Sequence, residues 1–502
     1  MKHAIHDFSA KLRQPSVAPT LQAYVEWRRA VEAAREANAP APAMPPIAPV
    51  SINLDLTVAC NYRCTHCIDW DVLNTKHRLA EDELRASIEL MRERGLKSVI
   101  LIGGGEPTLY PGFVGFVDFL KDLGLQVAIV TNGSRGDRLM EVVGFLDERD
   151  WIRMSLDSGS NELFAAMHKP TSSKVTLDAI CEWVPRIKAA NPAPRLGFSY
   201  IIVWQGATRD ENPLHENIHE IVLAAERAAN AGFDYISFKP ILERQEDGAE
   251  VMDPTKAAEA EQEVAVRIRG EVEKAKEFAS ESFDVYESVN LRMLEDGSWR
   301  QSTRQPATCH MQALRQVLTP LGVYNCPAHR GVDKARVGDK PAYASEANAA
   351  ATGEAVAGLL DGFDASHECR HVTCLYHDVN WWIEGMVKDG RDPVEVGAEG
   401  APRDGPPQDG LYPLHRPRQG PHPPPHNHLL EARLEIPGDH VAPLDGAARE
   451  MPFEVLVYHR LCPRVERLPL PLEPQPLEPP PHVRLDRPRC PVLKHRPPPA
   501  SP

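Results

Sequence analysis

At 502 residues, 42% of them hydrophobic, the chain is long enough for one large domain and something smaller. Its net charge of −15 argues against a general nucleic-acid binder, which needs a basic surface to displace phosphate counterions. No stretch approaches the roughly 18–20 apolar residues of a membrane helix, and the N-terminus MKHAIHDFSAKLRQPS lacks a signal peptide's apolar centre, so a cytoplasmic location and no membrane partner are expected.

Residues 1–49 read as a helical lead-in, LQAYVEWRRAVEAAREAN, followed by an Ala/Pro linker. Residues 50–240 then alternate two patterns. Strand-like runs at 51–58, 98–102, 126–131, 151–156, 196–203 and 235–239 are separated by helical patterns such as AEDELRASIELMRERG and ENIHEIVLAAERAANAG. Parallel strands need crossover helices, so this order predicts a parallel sheet in an α/β fold, a partial (β/α)6 TIM-like barrel. Its function would sit at the C-terminal ends of the strands. Residues 241–300 read as a charged helical connector, and 301–395 as a small domain holding the later cysteines. From 396 the character changes: residues 401–502 contain 26 of the 47 prolines, and 12 arginines against the single Lys494. Proline runs cannot supply backbone donors to helix or sheet, so 396–502 reads as a disordered tail or a frameshifted end. Cys462 and Cys490 fall there, as do His422, His426 and His428.

Seven of the ten cysteines form two groups, a pattern that in a long intracellular chain favours metal ligands over disulfides. The first, Cys60-Asn-Tyr-Arg-Cys64-Thr-His-Cys67, follows the first strand with C-x3-C-x2-C spacing. Three thiolates can hold three irons of a cubane and leave the fourth open, whereas electron-transfer clusters use four. Structural zinc also wants four ligands, and the only extra candidate, His66, lies between two of the cysteines. The second group pairs Cys309 with Cys326 (C-x16-C) and Cys369 with Cys374 (C-x4-C). Spacing alone leaves a tetrahedral zinc site and a fully ligated cubane equally open. Cys181, in LDAICEWV, reads as core.

The triad after strand one, with the aromatic-type His66 before its last cysteine, resembles the signature of the radical S-adenosylmethionine superfamily. The resemblance extends over residues 50–240. Gly103-Gly104-Gly105-Glu106-Pro107 after strand two resembles the element that binds the cofactor's methionine amino group. Thr131-Asn132-Gly133 resembles a common ending of strand three, and Ser155-Leu156-Asp157-Ser158 the segment that takes the ribose hydroxyls. Strand five would present Tyr200 or Ile202 to the adenine. Taken together, the resemblance implies a [4Fe–4S] cluster on Cys60, Cys64 and Cys67 that reductively cleaves S-adenosylmethionine to a 5′-deoxyadenosyl radical. It makes His66, Gly104, Gly105, Glu106, Asn132, Ser155 and Asp157 the candidate cofactor-binding residues, and implies an electron donor such as flavodoxin or ferredoxin.

LRQVLTPLGVYNCP resembles the hairpin of the SPASM/Twitch auxiliary-cluster domains. Four later cysteines match the single-cluster Twitch type, although C-x4-C departs from the commoner C-x2-C. This implies a second [4Fe–4S] cluster on Cys309, Cys326, Cys369 and Cys374. The expected function is net oxidation of a small molecule. Maturation of a ribosomal peptide is the alternative, disfavoured because the lead-in is short for a leader-binding domain. A non-enzymatic iron–sulfur or zinc scaffold is the rival from another class.

Overall fold

The computed structural model describes residues 8–209, 212–244, 250–251, 261–296 and 299–390. The tail with Cys462, Cys490 and its histidines lies outside the described residues. No helix among the described residues is long and apolar enough to cross a membrane.

Ten strands make one open sheet. In chain order they are β1 (Ser51–Leu54), β2 (Ser98–Leu101), β3 (Gln126–Thr131), β4 (Trp151–Ser155), β5 (Arg195–Ile202), β6 (Tyr235–Pro240), β7 (Asp284–Glu287), β8 (Arg315–Thr319), β9 (Gly322–Tyr324) and β10 (Arg336–Gly338). Their spatial order is β7-β6-β5-β4-β3-β2-β1-β8-β9-β10. Every pair from β7 to β8 is parallel, and the last two pairs are antiparallel. This is the expected partial barrel, extended at both edges. The stretch read as a helical connector supplies β7, and the hairpin of the later cysteines supplies β8, which pairs with β1 in the register Ser51↔Arg315. The first strand stops at Leu54, short of Val58 and level with the end of β2 at Leu101.

Side chains alternate faces along a strand, and the two faces of this sheet differ. Ile52, Val99, Ile129, Ile152 and Phe198 point outward into the main core under the helices. The inward set is smaller and more polar: Asn53, Val130, Arg153, Ser155, Ser199 and Lys239 face a cavity. Below it, Ile100, Ala128 and Trp151 form a separate apolar floor.

Two helices matter most for the site. In α1 (Ala18–Glu36) the buried face includes Leu21, Tyr24, Val25, Arg28 and Val31, the i, i+3, i+4 spacing of an amphipathic helix. It lies against α2 (His377–Asp389), where Arg29 Nη2 donates to the Met386 carbonyl at 2.8 Å. Tyr24 also joins the two helices through His310: its hydroxyl lies 2.8 Å from Nδ1, and Nε2 lies 2.8 Å from Glu384 Oε2. A carboxylate only accepts, so Nε2 donates; in the neutral ring Nδ1 then accepts from the Tyr24 hydroxyl. The lead-in helix thus braces the residue next to Cys309.

Candidate active site

The loop after β1 carries Cys60, Cys64 and Cys67. Its side chains tie it to the end of β3: Asn132 Nδ2 donates to Asn61 Oδ1 at 2.9 Å, and the Tyr62 hydroxyl donates to the Asn132 carbonyl at 3.2 Å. Tyr62 N donates to Cys60 Sγ at 3.4 Å. Cys64 Sγ lies 3.2 Å from His168 Nδ1. His168 ends the helix Asn161–His168, whose start is capped by Ser160 Oγ accepting from Leu163 N at 3.2 Å; such a cap contributes about 1 kcal/mol. Burial raises all three thiol pKa values, and the neighbouring thiols reinforce it for Cys64 and Cys67, the latter reaching about 12. A cationic metal centre would displace the protons of these three buried thiols and balance the charge of the thiolates it creates.

Glu106 stands at the end of β2, 3% exposed. Its Oε1 accepts from Thr108 N (3.1 Å), Thr108 Oγ1 (2.6 Å) and Thr131 Oγ1 (2.6 Å), and Oε2 accepts from Asn132 N (2.6 Å). Burial still raises its pKa above the usual value. With a single donor on Oε2, the carboxylate keeps capacity on the side that faces the cavity. The glycines before it make room for protein. A Cβ at Gly105 would lie 2.0 Å from the Ala59 carbonyl oxygen, and one at Gly103, where φ is +88°, would lie 2.0 Å from Arg330 Nη1.

That arginine was not foreseen. Four residues past Cys326, it reaches back to bind Asp55 Oδ2 at 2.7 Å and Asp69 Oδ1 at 2.8 Å. Asp69 Oδ2 in turn accepts from Gly104 N at 3.2 Å. Asp55 is buried and its pKa is pushed up to about 7, with burial and Asp69 outweighing Arg330.

One cavity of about 450 Å3 is lined by all seven grouped cysteines and by Gly104, Gly105, Glu106, Asn132 and Ser155. His66 and Asp157 lie outside that lining. Asp157, at φ +49°, is fully buried: its Oδ1 accepts from Ile201 N at 2.7 Å, and its Oδ2 lies 3.0 Å from His66 Nε2. Burial pushes this carboxyl up, but the two neighbouring histidines outweigh it and hold the pKa below normal. Both Asp157 oxygens are therefore engaged by protein. On β5 the inward residues are Ser199 and Ile201, whereas Tyr200 points into the core and donates to the Asn217 carbonyl at 2.6 Å. The adenine expectation thus fell on the outward face of the strand.

The second cysteine group faces the same cavity from the other side. Cys309 precedes the short helix Met311–Leu314, Cys326 follows β9, Cys369 ends the helix Ala365–Glu368, and Cys374 precedes α2. Burial raises each thiol, and the charges of the others add to this for three of them, with Cys326 near 12. Among the described residues, His66, Asp157 and His168 are the only three such ligand atoms within 4.8 Å of one another. The four sulfurs are therefore not gathered to the spacing of about 3.8 Å that Zn–S bonds of about 2.3 Å impose on a tetrahedron. Buried polar atoms without a partner also line the cavity: Asn290 Oδ1 and Asn325 Oδ1. Such orphans are rare in native proteins and mark a place built for a polar occupant.

The Radical SAM superfamily model matches residues 54–216. An S-adenosylmethionine-dependent nucleotide dehydratase from Thermoplasmatales archaeon (strain ISO4-H5) is 34% identical over 110 residues, 22% of this chain and 38% of that protein. The mycofactocin maturase MftC of Mycobacterium tuberculosis (strain ATCC 25618 / H37Rv) is 30% identical over 135 residues, 26% of this chain and 34% of that protein. The chain thus spans well under two thirds of these relatives. Streptococcus suis SuiB bound to S-adenosylmethionine superposes with a TM-score of 0.45 at 14% identity, over 64% of this chain and 68% of that one. With the cysteine triad in the loop after β1 and the glycine–glutamate turn after β2, residues 54–216 form a Radical SAM superfamily domain.

Proposed function

We propose that this chain is a radical S-adenosylmethionine enzyme. In this reading Cys60, Cys64 and Cys67 hold a [4Fe–4S] cluster, and Cys309, Cys326, Cys369 and Cys374 hold a second. The observation that carries it is the single cavity onto which both cysteine groups and Glu106 open. A bound cluster and S-adenosylmethionine would supply reductive cleavage of the cofactor and hence hydrogen-atom abstraction from a substrate. The chain's own residues bind and orient. Glu106 Oε2 offers a carboxylate to the cofactor's ammonium, and the loops carrying Gly104, Gly105 and Asn132 shape the pocket around it. Ser155, on the inward face of β4, is the polar group placed for the ribose, in preference to Asp157. His66 acts from below by fixing Asp157. The electron would come from a small reduced donor such as flavodoxin or ferredoxin.

For the substrate, the peptide route gains over the small molecule expected from the sequence. Mycofactocin maturases are among the relatives at 30% identity. The cavity also borders a neighbouring one of about 530 Å3 across Asp69, Gly104 and Arg330. A small-molecule substrate is the second reading, favoured by the nucleotide dehydratases among the relatives.

Anaerobic reconstitution tests the class. Roughly eight irons per chain, as two cubanes hold, and release of 5′-deoxyadenosine on dithionite reduction are expected, with Cys60→Ala abolishing release. Zinc in place of iron, or no cleavage by the loaded protein, would overturn it. Peptides encoded by neighbouring genes should change mass on turnover. If none does while a small molecule is consumed, the peptide reading falls.

A further inference from the structure

We propose that Asn380 and Gln312 are positioning residues that aim amide N–H groups at Cys309 and raise the reduction potential of the centre on the four later cysteines. This rests on the reading of those cysteines as cluster ligands.

Donor and acceptor roles around Asn380 are determined by their partners. Met311 N–H donates to Asn380 Oδ1 at 3.2 Å, so the amide's NH2 must face the other way. There it meets two groups: Gln305 Oε1 at 3.4 Å and Cys309 Sγ at 3.5 Å. The first is an acceptor because Gln305 Nε2 is already committed to the Ser302 carbonyl at 2.9 Å. One N–H is therefore spent on oxygen, and the other points at sulfur. Asn380 is 1% exposed, so water does not compete for it.

Gln312 repeats the arrangement. Asn325 Nδ2 donates to its Oε1 at 3.0 Å, which fixes the orientation of the amide. Gln312 lines the cavity that Cys309 also lines; its Nε2 meets no protein oxygen, and the side chain acts on the Cys309 thiol as a hydrogen-bond donor. At 1% exposure, water does not satisfy this amide donor either. A purely structural amide would have found an oxygen. The sulfur of Cys309 is the acceptor this amide faces.

An N–H dipole directed at a ligand sulfur stabilises the added negative charge of the reduced state more than it stabilises the oxidised one. Hydrogen bonds to sulfur are one of the protein's means of setting iron–sulfur potentials, and a buried site strengthens them. Consistent with this, the Asn380 donor lowers the Cys309 thiol pKa against the larger upward effect of burial. The Asn380 N–H on a buried ligand sulfur, with the Gln312 amide beside it, is the arrangement of a redox-tuned centre.

The test uses the full chain, reconstituted anaerobically, with iron counted and each cluster's midpoint followed by EPR during a redox titration. Cys309→Ala identifies which signal belongs to the second centre. Asn380→Leu and Gln312→Met should keep wild-type iron. At the wild-type midpoint of the second centre, each should lower its reduced-to-oxidised ratio by roughly three- to tenfold, tenfold being 59 mV for one electron. The centre on Cys60, Cys64 and Cys67 should titrate unchanged. Full iron with an unmoved midpoint in both variants overturns the proposal, as does loss of the second centre's iron in both, which would make the amides mere supports. If one variant alone loses iron, the midpoint of the other decides. A wild type with only about four irons, or with zinc on the later cysteines, overturns the cluster reading itself and is distinguished by the iron count before any variant is titrated.

Discussion

Replacing Arg330 with Met would leave Asp55 and Asp69 facing each other without their shared cation. Breaking a buried pair by removing one partner costs about 3–5 kcal/mol, and both carboxylates here are largely shielded from water. Urea unfolding of the demetallated protein should register that loss, with partial recovery in the Arg330→Met, Asp55→Asn double variant. A single variant as stable as wild type would show that the pair is neutral. The contrast between this arginine and the cysteines explains what could be read in advance at this scale. Ligand spacing is local, so C-x3-C-x2-C is visible in eight consecutive residues. Arg330 and Asp55 stand 275 positions apart, and nothing in the neighbourhood of either reveals the other. Asp157 illustrates a different limit: an aspartate at a strand end is legible as polar and important, but whether its oxygens face a ligand or a buried histidine depends on a left-handed turn at its own backbone.

Two elements from opposite ends of the described chain, α1 and α2, meet over His310. Tyr24→Phe removes the hydroxyl that donates to His310 Nδ1 and leaves a buried acceptor unpaired, at about 1–3 kcal/mol. Differential scanning calorimetry of the reconstituted variant should show a lower Tm; an unchanged Tm would mean that water replaces the hydroxyl. Glu384, the other end of the relay, carries a pH signature. Burial raises its pKa, but hydrogen bonds from His310 and Lys388 outweigh that and bring it to about 2, against about 4.3 when unfolded. Between those values the unfolded chain binds a proton that the folded chain does not. Stability therefore rises with pH across that window and is lost as pH falls toward 2. Glu384→Gln should flatten the dependence of the denaturant midpoint over that range in the demetallated protein; an equally steep slope would refute the assignment. The helical period of the lead-in was legible from LQAYVEWRRAVEAAREAN, because burial of one face imposes it. The partner of that face was not, since an apolar stripe fits any apolar stripe. For the same reason β7 was missed: DVYE, four residues in a charged helical neighbourhood, becomes a strand only because β6 presents an open edge.

At the scale of the whole molecule, the alternation of strand and helix over residues 50–240 was sufficient to predict a parallel partial barrel, because crossovers leave few other topologies. It did not reveal that the later cysteines would share the barrel's cavity. If both groups bind metal only in the folded state, metal loading should stabilise the fold. Tm should be highest for the reconstituted protein, lower for Cys309→Ala with Cys374→Ala, and lowest after chelation. Equal Tm values for the loaded and stripped protein would exclude that coupling. The pairing of β8 with β1 carries one more implication. Because Cys60 follows β1 while Cys309 and Cys326 flank the β8–β9 hairpin, the two cysteine groups are referenced to neighbouring rungs of one ladder. Their separation is then a ruler marked in peptide hydrogen bonds, with no hinge along it to stretch. Inserting a single residue within β8 would slip its register and turn its inward side chains outward, displacing one end of the ruler while leaving every cysteine in the sequence intact.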